Sequence, residues 1–429
     1  MTSTVQPAHL RRVVPIFLLF LFLLAEALRV GAALWLVRRN QAAGVEHEFA
    51  DSELYWMLAL RLEEGEPYND GKRQALRTPG YPVFLAGSIR LFGPSTTAAR
   101  HAQAAVGAAS CILLFFLVKR PLGPREAWLA ASLAAVYPFA VFLSVVLLSE
   151  AVFTFVLLVQ LLVLARLILP ESNLSPGREL IWAGLAGLVG AAATLVRPSW
   201  ILAMPALALV LPYRGGEHSV VRRLAPSVAV LLGFVLGMSP WWIRNAQVTG
   251  HFVPTTLWVG ASLYDGWNKR ATGASNMEFM DHPAEFGLDD RLPQMSEWEQ
   301  DRYLEDAAWQ FARSQPLRVL SLAWAKFVRF WNPLPNAAEW RSGWLRLISL
   351  FTCGPALVLA ALGAWRLRRR WRVLLLLAGP LLYFAAIHLI FVSSIRYREA
   401  AMLPVLGLVA AGLFSLISMT RSLGWVVRR

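Results

Sequence analysis

Cysteine is nearly absent from this chain: 429 residues hold two, Cys111 and Cys353, each inside an apolar run. That argues against a disulfide-stapled scaffold or a thiolate metal site and leaves both as small buried hydrophobes. Histidine occurs seven times and never in HExxH or a comparable ligand spacing, so a zinc centre has no support. There is no GxxxxGK[ST] phosphate loop and no Rossmann glycine fingerprint, which removes a nucleotide-fuelled engine. Internal repeats and low-complexity tracts are missing as well. Charged residues are scarce at 16%, and their balance is one-sided, with a net +14. No basic stripe is interleaved with stacking aromatics, so nucleic acid is not an expected partner.

What fills the chain is apolar sequence. Hydrophobic residues make up 57% and the mean hydropathy is +0.49, beyond what one core of a soluble domain uses. Val13 to Leu36 is interrupted only by Glu26 and Arg29, which at i, i+3 can pair on one helix face. The pattern predicts an all-α polytopic membrane protein, residues 1–429 forming a single integral membrane domain with about ten spans. These fall near 13–36, 98–118, 126–145, 148–168, 180–197, 199–213, 223–243, 343–365, 372–393 and 399–419. The first, flanked by Arg11 and Arg12, is long enough to span without a small-residue cleavage site and reads as an uncleaved anchor. Arginines collect in short links: Lys119, Arg120 and Arg125; Arg214, Arg222 and Arg223; Arg366, Arg368, Arg369, Arg370 and Arg372. With Arg421, Arg428 and Arg429 they share one side if the count holds, which puts both termini in the cytoplasm.

Two long segments, 37–97 and 244–342, then lie on the outer side and hold many of the acidic residues, among them Glu46, Glu48, Asp51, Glu53, Asp265, Asp281, Asp289, Asp290 and Asp306. Phe49 to Leu62 has apolar residues at helical spacing, suited to a helix lying on the bilayer, and Tyr81 to Phe92 is a second such segment. Trp309 to Trp331 is aromatic and basic, with Trp324, Lys326, Arg329 and Trp331 suited to the headgroup zone, so membrane lipids are expected partners.

Charged residues at the outer ends of spans are the candidate chemistry. Asp51 in DSELYW could take a proton from an attacking hydroxyl; it could equally be a helix N-cap. Tyr55 stands one turn further on. Glu53 could join Asp51 in a paired-carboxylate metal site. In RTPGYP, Pro79 and Gly80 make a turn presenting Arg77 and Tyr81, where an arginine fork suits a phosphate; an ordinary loop-to-helix turn gives the same letters. Glu150 opens a span, where a carboxylate is costly without a partner or cavity. Arg197 in LVRPS, Arg244 and Asn245 in PWWIRN, and Arg396, Tyr397 and Arg398 in SSIRYRE mark other outer ends. Snorkelling explains any one arginine; together, on the face of Asp51 and Glu150, they suggest one anion-binding cavity. His388 inside the ninth span reads as a hydrogen-bonded helix contact.

The ordered pieces FADSELYWMLALRLEEGEPY, RTPGYPVFLAG, ARHAQAAVGA, YPFAVFLSVVLLSEAVFT, LVRPS, PWWIRNAQVTGHFVPTTLWVGASLYDGWN and SSIRYREAAMLPVLGL resemble the polyprenyl-phosphate-dependent membrane glycosyltransferases of GT-C type, in particular the bacterial protein-mannosyltransferase and aminoarabinose-transferase-like group. The resemblance implies a GT-C-like fold with interfacial helices in the first outer loop, in the bacterial inner membrane. It implies a sugar donor on polyprenyl phosphate and an acceptor glycan, lipid or protein. It implies Asp51 as catalytic base with Glu150 as second acidic position, and Arg77, Arg197, Arg244 and Arg396 around the donor phosphate. Many relatives carry two adjacent acidic residues where this chain has Asp51-Ser52-Glu53; no cofactor is expected, with a divalent metal left open. A lipid or solute transporter, or a non-catalytic partner in envelope assembly, is the alternative class.

Overall fold

The computed structural model describes residues 8–169, 174–214, 219–335 and 343–426, and every regular element in them is helical. Helix α1 (Ala8–Ala43) leads into a first long segment with α2 (Ala50–Glu64) and α3 (Gly80–Phe92). Helix α4 (Thr96–Leu122) follows, then the short α5 (Pro124–Val136) and α6 (Pro138–Leu143), and the long α7 (Glu150–Ile168) and α8 (Pro176–Val196). The short α9 (Ala203–Val210) precedes α10 (Val220–Thr249). The second long segment holds α11 (Val259–Gly266), α12 (Glu297–Ser314) and α13 (Pro316–Trp331). Helices α14 (Gly343–Arg366), α15 (Trp371–Leu377), α16 (Gly379–Ile390), α17 (Ile395–Glu399) and α18 (Met402–Val426) complete the chain.

Seven of these helices are long and apolar enough to cross a membrane, eight if α15 and α16, bent by 62° at their junction, make one span. The expected ten is thus not reached among the described residues. The shortfall lies at 126–145 and 199–213, and proline causes both. Pro138 lacks the N–H that would bond Ala134 and splits that run into α5 and α6; Pro198 ends α8 and leaves a shorter apolar helix, Pro198–Val210. Arg428, Arg429 and the stretch 336–342 lie outside the described residues, as do the side chains of Arg11, Arg12, Arg214 and Arg421.

Large apolar side chains point outward along the long helices, among them Ile16, Phe17 and Phe20 of α1, Leu232 and Leu236 of α10 and Val358 of α14. Water would make this surface sticky; hydrocarbon makes it ordinary. Inside, small residues let helices approach closely, as membrane packing favours. A Cβ at Gly187 of α8 would lie 1.9 Å from the Val230 carbonyl oxygen of α10.

Arg29 solves the problem that Pro138 creates. It is fully buried, and it donates to the carbonyls of Ala134 (3.3 Å), Ala135 (3.2 Å) and its own Ala25 (2.9 Å), and to Ser144 Oγ (3.2 Å). The expected pairing with Glu26 is thus replaced by service to the broken helix. Cys111 and Cys353 are buried free thiols. His388 Nδ1 lies 2.7 Å from the Val392 carbonyl, the helix contact expected of it.

The second long segment builds its own core from Tyr264, Trp267, Phe279, Phe286, Leu304 and Phe311. Trp309 to Trp331 is two helices, not one, because Pro316 starts α13 after α12 ends at Ser314. The outward side of α13 carries Leu317, Leu320, Trp324 and Val328, while Lys326 and Phe330 turn inward. The two long segments meet: Leu257 N–H donates to Ala75 O at 2.9 Å, and the Glu297 carboxylate accepts from the N–H groups of Gln74 and Ala75.

A candidate active site at the junction of the long segments

Asp51 lies in the first turn of α2, yet it does not cap the helix: Phe49 holds the N-cap position without a side-chain bond. Its carboxylate turns to two arginines instead. Oδ1 accepts from Arg77 Nη2 at 3.0 Å and Oδ2 from Arg396 Nη2 at 3.1 Å. Arg396 also donates from Nε to Glu150 Oε1 at 2.5 Å, and that same oxygen accepts from Arg197 Nη1 at 3.1 Å. Five residues from five parts of the chain therefore form one line, Arg77–Asp51–Arg396–Glu150–Arg197. Three guanidinium groups against two carboxylates leave one net positive charge.

Each member sits there for a local reason. Glu150 is the first residue of α7, and Arg197 closes α8 where Pro198 stops it. Arg396 belongs to α17, one turn placed after the chain breaks at Phe391. Arg77 precedes the Pro79–Gly80 turn into α3. Gly80 is needed for that approach, since a Cβ there would lie 2.6 Å from the backbone of Leu195 and Val196 at the end of α8. Because Glu150 and Asp51 of α2 are both bonded to Arg396, the chain must return to this level through α5 and α6 after α4 has run roughly 40 Å away.

Aromatic rings enclose the line. Arg197 lies over Tyr397 (5.3 Å), Phe384 (5.6 Å) and Phe153 (6.0 Å), and Tyr397 stacks on His388 at 4.2 Å. Tyr55 meets Tyr81 edge-on at 5.0 Å, and Tyr81 donates to Gln103 Oε1 at 2.7 Å. From the second segment, Trp258 faces both Arg73 (5.0 Å) and Arg77 (5.5 Å). Behind Glu150 a cavity of about 20 Å³ is lined by Arg29, Ser110, Ser144, Thr154 and Glu399, and the buried Glu150 Oε2 has no protein partner. That volume accommodates one water molecule.

The electrostatics follow from the pairing. Burial would raise the Asp51 pKa, but Arg396 and then Arg77 overcome it and hold the carboxyl at about 2. For Arg396, burial works against the charged form and Glu150 and Asp51 outweigh it, so its pKa stands well above the usual arginine value. A cation would meet a net positive line here. Glu53 is exposed on another side of α2, and among the described residues no three His, Cys, Asp or Glu gather at metal-binding distance. The donor set suits an anion and does not fit a divalent metal.

Other expected residues are employed elsewhere. Arg244 donates to the carbonyls of Gln74 and Tyr68 and to Asn245 Oδ1, and it lies over Tyr68 and Trp241. Asn245 is buried and holds the Val253 carbonyl. Arg244 fastens the first long segment to the end of α10, and Asn245 fastens the start of the second there. Arg398 is sealed against Glu399 and the carbonyls of Phe330 and Asn332. Sequence reasoning assigned no role to Arg100 or Trp258, and it placed Lys326 in the headgroup zone, whereas that side chain is fully buried. Arg100 forms a buried pair with Glu48 at 2.8 Å and holds Val145 O, fixing the entrance to α2. Trp258 backs Arg77. Buried Lys326 binds the carbonyl of Ile390, just before the turn that presents Arg396. An arginine four residues into an apolar helix, in ARHAQ, was the available signal for the first.

Residues 76–243 match the family pattern described as dolichyl-phosphate-mannose-protein mannosyltransferase. Comparison with curated protein sequences gives no match. The chain is similar in structure to the apo oligosaccharyltransferase of Archaeoglobus fulgidus, with a TM-score of 0.53 and 14% identity over 96% of this chain and 52% of that one. A second structure from that organism, the oligosaccharyltransferase AglB in complex with an inhibitory peptide and a dolichol-phosphate, gives 0.49 and 13% over 95% and 51%. ArnT from Cupriavidus metallidurans bound to undecaprenyl phosphate gives 0.43 and 14% over 95% and 78%. The chain spans about half the length of the archaeal enzymes it matches. The resemblance to GT-C-type membrane glycosyltransferases drawn from its sequence thus stands: the fold is helical, membrane-compatible and GT-C-like, and the stretch from Leu76 to Ile243 carries the mannosyltransferase pattern.

Proposed function

We propose that this protein transfers a sugar from a polyprenyl-phosphate donor to a hydroxyl of an acceptor glycan, lipid or protein at the outer membrane surface. The observation that carries the reading is the line of three arginines and two carboxylates joining the first long segment and α17 to the ends of α7 and α8. It offers an anion seat and a carboxylate base side by side, at the depth where a lipid-borne donor and a water-borne acceptor meet. The matched family pattern and the lipid phosphates named in the two similar ligand-bound structures support the donor class.

In the reaction, the acceptor oxygen forms a bond to the anomeric carbon as the bond from that carbon to the phosphate oxygen breaks. The acceptor proton passes to Asp51, and the polyprenyl phosphate leaves with the bonding electrons. A single displacement inverts the anomeric centre. The donor diester carries one negative charge and the leaving monoester two, so the phosphate gains a charge while Asp51 loses its own. The arginines span both places and stabilise this shift without reorganising. Tyr397 would line the sugar and acceptor approach, while the buried Tyr55 and Tyr81 back it from inside.

The test is consumption of a panel of polyprenyl-phosphate sugars by the purified protein. Turnover by the wild type that disappears in Asp51→Asn supports the transferase and its base. A wild type that consumes none of a broad panel, yet moves lipid or solute across vesicles, would replace this reading with the transporter.

A further inference from the structure

As a base, Asp51 is badly placed by its own pairing. Both of its oxygens are already committed to charge-assisted hydrogen bonds, and a carboxylate so held accepts a proton poorly. The same arginine N–H groups are the ones best placed to hold a phosphate. The two roles compete for one guanidinium surface.

We infer that the donor phosphate and Asp51 are rivals for that surface: the phosphodiester takes the Arg77 and Arg396 N–H groups that Asp51 holds, and this exchange releases Asp51 to act as base. The inference rests on the transferase reading and adds an order of events to it. Three observations support it. First, only one half of the line is reachable. The side chains of Asp51, Arg396 and Arg77 are 34%, 25% and 18% exposed, against 1% for Glu150 and 7% for Arg197. An incoming anion can therefore displace Asp51 and cannot reach Glu150.

Second, the arginines keep their places when the carboxylate leaves. Arg396 gives Asp51 only Nη2 and stays tied to Glu150 through Nε. Arg77 gives it Nη2 while Nη1 holds the Leu76 carbonyl at 3.2 Å, and Trp258 covers its flat side. Third, the exchange is one for one in charge and in bonds. Two carboxylate oxygens give way to two non-bridging phosphate oxygens, and one negative charge replaces another.

The consequence is a coupling between donor binding and basicity. A water molecule arriving before the donor meets a weak base. One arriving after it meets Asp51 free of both guanidiniums, with the acceptor competing for the same position.

The experiment measures the affinity of the detergent-purified full chain for farnesyl methyl phosphate, a singly charged diester that does not titrate in the working range. Wild type, Asp51→Asn, Asp51→Ala and Arg396→Ala are compared by calorimetry, with thermal unfolding as the folding control. Exchange predicts that both Asp51 variants bind the diester more tightly, by roughly tenfold, because the charged rival is gone. Arg396→Ala binds it more weakly. If the wild type binds but neither Asp51 variant binds more tightly, exchange is wrong and the transferase reading survives. If folded wild type and folded Asp51 variants all fail to bind, the lipid-phosphate reading falls, and the exchange with it.

Discussion

Asp51 and Glu150 both accept from Arg396, but their surroundings are opposites. Asp51 stands on a short helix beside the membrane spans, a third exposed, with each oxygen given to a different arginine. Glu150 opens a span, is sealed, and gives one oxygen to two arginines while the other faces a water-sized cavity. The difference separates two tasks that a charged cluster can perform. The Asp51 half can change partners and so can do chemistry. The Glu150 half is too deeply buried to change and so keeps Arg396 and Arg197 charged and aimed.

The sharpest way to break this division is to remove each charge in turn. Asp51→Asn should lower turnover by about 10²–10⁴ while lowering the thermal midpoint in detergent less than loss of the Glu150 charge does. Glu150→Gln leaves buried Arg197 without its counter-charge and Arg396 with Asp51 alone, and a buried pair broken from one side costs about 3–5 kcal/mol. Its thermal midpoint should therefore drop steeply. Equal loss of stability in both variants would mean that the two halves do not differ in kind.

Gly80→Ala tests whether the halves must be pressed together. The new methyl would strike the end of α8, and a displacement of about 1 Å at a reacting site costs on the order of 10² in rate. Turnover should fall by that order with only a modest stability loss, measured by the same two assays. Arg244→Ala should do less. It frees the carbonyls of Gln74 and Tyr68, so protease cleavage around residues 66–76 should rise and stability fall by about 1 kcal/mol. Diester affinity reduced as far as in Arg396→Ala would bring Arg244 back into the phosphate seat.

The smallest effect is in pH. Asp51 titrates at about 2 in the folded chain against an ordinary 3.8. Its folded pKa is depressed, so its contribution is complete above about pH 4 and is lost as pH falls toward 2. The difference in thermal midpoint between wild type and Asp51→Asn should shrink across that window, and a constant difference would deny the pairing.

Much of the site was legible because charge inside an apolar run is expensive and therefore conspicuous. Glu150 and Arg197 carry that mark, Asp51, Arg77 and Arg396 stand at helix starts and a turn beside such runs, and the structure gathers all five. Arg244 and Arg398 carry the same mark and are spent on backbone carbonyls instead. Nothing local separates the two uses, because the partner comes from 66 to 176 residues away in sequence. The long helices were equally plain in the hydropathy. The expected count and the long helices part where Pro138 and Pro198 stand inside apolar runs: hydropathy averages over a proline, whereas the hydrogen-bond ladder cannot. The Glu48–Arg100 pair escaped notice because an arginine near a helix start looks like a snorkelling anchor.

The four bonds of Arg29 also bear on how the chain enters a bilayer. A carbonyl orphaned by Pro138 has no water to turn to in hydrocarbon, so α5 and α6 are stable there only beside a donor, and that donor belongs to α1. Helix α1, made before α5 and α6, thus carries the group that the later, broken pair requires. The donor is therefore synthesised before the carbonyls it serves, in the order that the chain itself imposes.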